Sequence, residues 1–400
     1  MRTSLPRPST SVRDVLAVAS LITVGFMGSV VVTPLYALYQ RKFGFSEITL
    51  TLVYAVYVVG NIVALLVFGQ VSDQLGRKRV GLPALGLAAV SALLFLFAQD
   101  TAWLYVARLL IGLATGILSG TATAWLAEQY GEQERSSAAF TASAANLLGI
   151  ALGPLVGGLL AEYAPWPLVL PFVAYLVAVT AAAVTAARAE EPRGAARPGP
   201  LRELRVHMRL GVPRDRLAAF TPPAIAGFVT FALGGLYFAL IPTIVIKELH
   251  ESNIAVGGLL VFELGAVALL VNVLARRLSA AASMTSGLLA LLPAVALLVV
   301  AQAARSMPVL VVASALAGVV LALGYRGSLQ VVTEIAPDDR RAEVVSSYLI
   351  AVFIGNAVPV IGVGVLTTLV DPFVATITFA VGVGTLCLAA LGGARLRGLE

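Results

Sequence analysis

Apolar stretches of roughly 20 residues recur along the whole chain, separated by short polar connections, and each is long enough to cross a hydrocarbon core about 30 Å thick as a helix. The runs are continuous rather than alternating with period two, which selects helices over barrel strands. The pattern predicts spans at 15–39, 48–71, 80–98, 103–126, 137–160 and 168–187 in the first half. The second half repeats it at 217–246, 254–275, 284–302, 309–335, 344–370 and 373–394. Between the halves, 188–216 is rich in arginine and carries Pro192, Pro198, Pro200 and Pro213, a composition that breaks helices and stays out of lipid. The expected fold is therefore all-α and membrane-embedded: a six-helix bundle over residues 1–187, a linker over 188–216 and a second six-helix bundle over 217–400. Within the linker, Leu201, Leu204 and Met208 share a helical face beside Arg202, Arg205 and Arg209, which suits either a short helix on anionic headgroups or a solvated charge run.

Composition agrees with that pattern, since 59% of residues are hydrophobic and only 12% charged, too few charges for the surface of a soluble domain of this size. Chemistry is sparse as well. Cys387 is the single cysteine, inside the last apolar run, and His207 and His250 are the only histidines, both in connections. Disulfide frameworks, metal clusters and Ser-His hydrolase sites have almost no material, so neither a metal, a cofactor nor an enzymatic activity is expected.

The net charge of +6 raises the question of nucleic acid, but its distribution follows the membrane. With both termini on one side, the opposite loops hold only Arg41, Lys42, Lys247 and Arg305, and only Arg108 and Arg326 fall inside spans. Every other Lys and Arg lies on the terminal side, which the positive-inside rule assigns to the cytoplasm of a plasma (inner) membrane. Arg2, Arg7 and Arg13 precede the first apolar run in the manner of a signal peptide, but the run is too long and lacks a cleavage site, so it is read as a span. The expected partners are the bilayer, protons and a small-molecule substrate, with no nucleic acid, and the chain is expected to be a monomer.

The two halves match at one fixed offset, where Gly112 meets Gly318, Glu128 meets Glu334, Arg135 meets Arg341, Gly149 meets Gly355 and Gly158 meets Gly364. Two similar bundles joined by a linker describe a device whose halves rock about a central site.

The connection after the second span reads Gly69-Gln-Val-Ser-Asp73-Gln-Leu-Gly76-Arg77-Lys78-Arg79. It resembles the signature loop of the major facilitator superfamily, with Gln74 where a basic residue is usual. Span count and linker position extend the resemblance over the whole chain. It implies a latch in which Arg77 reaches Glu128 at the end of the fourth span and Asp73 engages the other bundle near the start of the eleventh. Gly69, Gly76 and Arg79 belong to the same loop. Its positive residues also suffice as positive-inside anchors. Arg276 and Arg277, facing Glu334, look like a worn copy in the second half.

Arg108, Gly112, Gly116 and Gly120 form one stripe on the fourth span and resemble the family's span-four arginine motif, which implies proton relay or substrate contact. A charge at this depth costs at least ~2.5–3.5 kcal/mol on insertion scales, so Arg108 is expected to face a cavity or partner, or to snorkel to the nearby interface. Gly149, Gly153, Pro154, Gly157 and Gly158 resemble the antiporter motif of drug and proton exchangers, with Phe140 where the family pattern has a further glycine. Their physical effect is close helix approach plus a proline kink.

Glu263 is the acid deep within a span, and Gly258, Gly265 and Asn272 mark a packing face away from which it points. It is the candidate proton carrier together with Arg108, or else a structural partner for Arg326 or Arg108. Arg326, Tyr325, Asn146 and Asn356 are candidate substrate contacts; Asn61 and Asn272 are further polar groups, and any of these asparagines can equally bridge helices.

The reading is a secondary active transporter working by alternating access, in the form of a proton-coupled exporter of a small organic solute. Two intramembrane arginines against one glutamate would also suit import or uniport of an anionic or neutral metabolite. A non-transporting sensor or scaffold gains little from a state-dependent latch, and an intramembrane enzyme would need paired catalytic groups.

Overall fold

The computed structural model describes residues 11–68, 71–131, 134–191 and 210–395. Among these residues the secondary structure is helical, and 12 helices are long and apolar enough to cross a membrane. They run Val12–Phe43, Glu47–Phe68, Arg77–Leu96, Thr101–Tyr130, Ser136–Tyr163 and Leu170–Arg188, then Leu217–Ala239, Ile254–Arg277, Ala280–Ala303, Met307–Ile335, Asp338–Leu369 and Pro372–Arg395, and are called spans one to twelve below. Half of them overshoot the apolar runs by about a turn at one end or both, because a helix continues into the headgroup zone until a cap bounds it. Ser46, Asp100, Asn253 and Ser279 do so, each side chain accepting a backbone N–H of the first turn.

Two spans are broken where the sequence pattern is continuous. Span one is a helix over Val12–Val30, a 3-10 turn over Thr33–Leu35 and a short helix over Tyr36–Phe43. Span seven, Leu217–Ala239, is followed by a separate short helix over Ile241–Lys247. Pro34 and Pro242 stand at the restarts, where a residue without an N–H and with a fixed φ fits the first turn of a helix but not its interior.

Packing repeats between halves. Span one lies against spans four, five and six as span seven lies against ten, eleven and twelve, while spans two and three pack on four as eight and nine pack on ten. The glycine matches have the same local cause in both halves: a Cβ on Gly149 would lie 2.3 Å from the Thr23 carbonyl oxygen of span one, and a Cβ on Gly355 would lie 2.4 Å from the Phe228 carbonyl oxygen of span seven. Large apolar side chains face outward, including Leu274, Val177, Val381 and Leu388, the inverse of a water-soluble surface.

The bundles meet along two related seams, span five on span eight and span two on span eleven. Polar contacts also join them at the end that carries Arg41, Lys42, Lys247 and Arg305, the arginine-poor end. There Lys247 pairs with Glu47, the Ile254 N–H donates to Glu162 at 2.8 Å, and Asn253 donates to the Tyr163 hydroxyl at 2.8 Å.

Candidate functional site

At the arginine-rich end the signature loop folds onto its own bundle. The second span ends in a π-helical turn, Ala64–Phe68, and resumes as the short helix Val71–Leu75 before Gly76 turns the chain at φ +99°, a conformation costly for other residues. A Cβ on Gly76 would also lie 2.8 Å from Glu191 Oε1, the carboxylate that accepts the Lys78 N–H at the start of span three. Arg77 is buried, and its guanidinium makes an ion pair with Glu128, donates to Asp73 Oδ1 at 2.5 Å and to Ser72 Oγ at 2.6 Å. Arg77 and Glu128 therefore meet as the motif implies. Asp73 instead turns to Arg77, its side chain 56% exposed, and Arg79 is exposed at the start of span three. Gly69 lies outside the described residues, as does the linker segment with Arg202, Arg205 and Arg209.

The expected second latch does not form. Among the described residues no ion pair joins Glu334 to Arg276 or Arg277; the Arg276 guanidinium lies 3.2 Å from the centre of the Phe140 ring on span five. Phe140, the departure from the glycine pattern, is thus a platform for a cation of the other bundle.

The fifth-span glycines serve both neighbours. Cβ atoms on Gly149, Gly153 and Gly157 would lie 2.3, 2.7 and 2.3 Å from the carbonyl oxygens of Thr23, Met27 and Val31, stepping up span one a turn at a time. Gly158 faces the other way, onto Ala255 and Gly258 of span eight, and the Pro154 carbonyl oxygen lies 2.5 Å from a Cβ on Gly258. The helix runs on through Pro154. On span four a Cβ on Gly112 would lie 2.1 Å from the Tyr57 carbonyl oxygen and one on Gly116 2.5 Å from the Ala64 Cβ, whereas Gly120 meets nothing within 4 Å and drops out of the expected stripe.

Arg108 does not snorkel. It is wholly buried, its Nη1 donates to the Ser29 carbonyl oxygen at 2.5 Å, and its guanidinium carbon sits 5.7, 5.2 and 5.1 Å from the ring centres of Tyr36, Tyr54 and Tyr57. Nε and Nη2 make no well-aligned hydrogen bond. The tyrosine cage was not read from the sequence, although Tyr54 and Tyr57 are spaced three apart on one face of span two. Tyr54 extends the cluster across the seam, donating to Asn356 Oδ1 of span eleven at 2.9 Å.

Glu263 is half-buried on span eight, and among the described residues no ion pair holds it. The opposite side of that helix packs as expected, since a Cβ on Gly265 would lie 2.9 Å from Ala151 of span five and Asn272 is buried. Arg326 is placed elsewhere: it donates to the carbonyl oxygens of Ala275 and Arg276 at 2.8 and 3.1 Å, satisfying the end of span eight rather than pairing with Glu263. Tyr325 packs edge-on against Phe231, with ring centres 5.1 Å apart, and Asn146 is half-buried on span five.

Residues 18–359 match the family model described as Major Facilitator Superfamily. Among curated proteins, the chain is 34% identical over 140 residues to the MFS-type transporter traF of Penicillium crustosum, covering 35% of this chain and 29% of that one. It is 25% identical over 158 residues to the bacillibactin exporter of Bacillus subtilis, covering 38% and 39%, and 34% identical over 126 residues to the efflux pump FUB11 of Gibberella moniliformis, covering 32% and 21%. The matched segments thus span well under half the length of these relatives. Among solved structures, a bacterial homolog of the human lysosomal transporter Spinster, crystallised inward-facing and unoccupied, superposes with a TM-score of 0.69 at 16% identity, covering 98% of this chain and 94% of that one, a likeness of fold.

Proposed function

This chain belongs to the major facilitator superfamily and is a non-enzymatic integral membrane transporter, and from that premise we propose that it is a proton-coupled exporter of a small organic solute, working by alternating access. The observation that carries the reading is the placement of Glu263. It is a mid-span carboxyl without an ion pair among the described residues, on the helix that forms half of the span five–eight seam. A group so placed can take a proton from one side and release it to the other when the bundles rock. Export is favoured by the names of two relatives, a bacillibactin exporter and an efflux pump, and by the glycines that let span five approach spans one and eight closely.

The bundles 1–187 and 217–400 are the rocking bodies and 188–216 the strap between them, with the arginine-rich end at the cytoplasmic face of a plasma membrane. The proposed working unit is a monomer, and the polar contacts at the arginine-poor end support an inward-facing arrangement. In it the latch is half-made: Arg77 holds Glu128, and Asp73 stays exposed, ready to reach span eleven when the cytoplasmic end closes. Asn356 acts through the Tyr54 clasp, Asn146 and Tyr325 are candidate contacts from the two bundles, and Arg326 acts through the end of span eight.

Reconstitution into liposomes loaded with a pH-sensitive dye tests the reading. A panel of ionic and neutral organic solutes is presented under an imposed pH gradient, to native protein and to Glu263→Gln. Solute-dependent proton flux in the native protein, lost in the variant while solute–solute exchange persists, is the expected result. Gradient-driven flux that survives the substitution removes Glu263 as carrier; flux indifferent to the gradient makes the protein a uniporter.

A further inference from the structure

We propose that the transported solute is an organic monocarboxylate with an apolar body, seated on Arg108 inside its tyrosine cage and released past Arg41 and Lys247 at the arginine-poor mouth. The proposal rests on the transporter reading and names its substrate class.

Arg108 is a full positive charge at zero exposure, and among the described residues no acidic side chain pairs with it. Its Nη1 is used by the Ser29 carbonyl oxygen, while Nε and Nη2 make no well-aligned hydrogen bond and have only the neutral Tyr36 hydroxyl set against the guanidinium. Those two nitrogens share one edge of the guanidinium, and their N–H bonds point side by side, the fork that receives both oxygens of a carboxylate. Leaving such donors empty in a dry site is costly, and an anionic oxygen pair is the ligand that removes the cost. A single cation calls for a monoanion. The faces of Tyr36, Tyr54 and Tyr57 around it offer an apolar, aromatic wall to the rest of the solute.

A second observation gives the seat a way out. Thr33 and Tyr36 at the joint of span one and Gln40 on the short helix beyond it carry polar groups toward the same end, and the side-chain oxygens of Thr33 and Gln40 are buried without hydrogen-bond partners. Across from them the Thr243 hydroxyl is buried and equally unpaired. Tyr36 lies against Arg108, and one helical turn beyond it Gln40 lines a cleft of about 350 Å³ between the bundles at the arginine-poor end, together with Arg41, Thr243 and Lys247. Two of the four cations on that side of the protein stand at one mouth. Lys247 is held by Glu47 in this arrangement, and Arg41 has no ion pair among the described residues. Opening the mouth frees Lys247 and leaves a positive vestibule that draws an anion off the Arg108 seat.

Thermal unfolding of the purified protein tests the seat with three probes: salicylate, its neutral amide salicylamide, and the cation tetraphenylphosphonium. Salicylate is expected to raise the midpoint by several degrees and the other two to leave it unchanged. Arg108→Lys, which keeps the charge and loses the fork, and Arg108→Gln are both expected to abolish the rise. Saturation-transfer NMR on the native protein, in which salicylate ring protons are expected to respond and those of salicylamide not, is a readout that holds even where a variant fails to fold. Arg41→Gln should slow salicylate release from proteoliposomes several-fold at low salt, with Arg305→Gln, outside the cleft, as its control. No rise with salicylate, an equal rise with the amide or the cation, a rise that persists in Arg108→Lys, no saturation transfer to salicylate, or equal release from the Arg41 and Arg305 variants overturns the proposal. Absence of pH-driven flux alongside an intact salicylate response removes proton coupling and leaves the carboxylate seat standing. Gradient-driven flux of a neutral solute without any salicylate response does the reverse.

Discussion

The Tyr54 hydroxyl donates to Asn356 Oδ1 at 2.9 Å and so ties span two of one bundle to span eleven of the other, directly beside the Arg108 guanidinium. Both residues are buried, which makes this contact part of what holds the bundles together in the present arrangement. Tyr54→Phe removes it at a cost of about 1 kcal/mol, equivalent to a roughly fivefold change in the ratio of the two states. Spin labels placed across the arginine-poor end should show a larger separated population in the variant; an unchanged distance distribution would mean the bond is not a clasp.

Gly153 faces the Met27 carbonyl oxygen, with 2.7 Å for an added Cβ, whereas Gly120 faces open space. Gly153→Val is expected to cost about 1–3 kcal/mol through overpacking, and Gly120→Ala to be neutral or stabilising by up to about 1 kcal/mol through helix propensity. Unfolding midpoints of the two variants separate a seam glycine from a bystander; equal midpoints would show that span five does not need its close approach to span one.

Arg77 is buried between two carboxylates that remain partly exposed, so water weakens the attraction and the ion pairs should contribute only about 1 kcal/mol to folding. Its larger effect is expected on turnover. Arg77→Ala should lower transport severalfold with little loss of thermal stability, and Arg77→Lys should restore it only in part, because one ammonium cannot reproduce the two-sided fork over Glu128 and Asp73. A lysine variant with full transport would reduce the residue to a positive-inside anchor.

The Phe140 ring under the Arg276 guanidinium predicts a coupling of roughly 0.5–1 kcal/mol at an exposed cation–π pair. A double-mutant cycle with Phe140→Leu and Arg276→Gln measures it, read as the balance between open and closed cytoplasmic ends. Additive single effects would leave the aromatic ring as ordinary packing.

Span positions and the repeat between bundles were legible in the sequence because they rest on a periodic cost, hydrocarbon's rejection of charge; the Arg77–Glu128 contact was legible only through the resemblance of the signature loop to its family, since nothing in the residues alone selects Glu128. What stayed hidden was set by geometry between distant segments. Nothing in the tenth span says that Arg326 will reach the last carbonyls of span eight, since both a capped helix end and a carboxylate satisfy a guanidinium. Phe140 departs from a glycine motif in sequence, and its pairing with Arg276 depends on where the other bundle sits. Asp73 could have faced either bundle, because the choice depends on which end of the transporter is shut. The breaks in spans one and seven were announced by Pro34 and Pro242, but hydropathy runs straight through them, so a pattern of apolar residues alone misses the joint.

Those joints set how much of the molecule has to move. Beyond each one lies a short terminal piece, Tyr36–Phe43 and Ile241–Lys247, which supplies Gln40, Arg41, Thr243 and Lys247 to the outer cleft. The two joints are not alike: beneath Tyr36 the ladder tightens to the Leu35 N–H on the Val32 carbonyl oxygen, whereas at span seven the Leu240 N–H on Leu236 and the Ile244 N–H on Leu240 run through the joint, so one jamb of the outer door is hinged and the other is stiff.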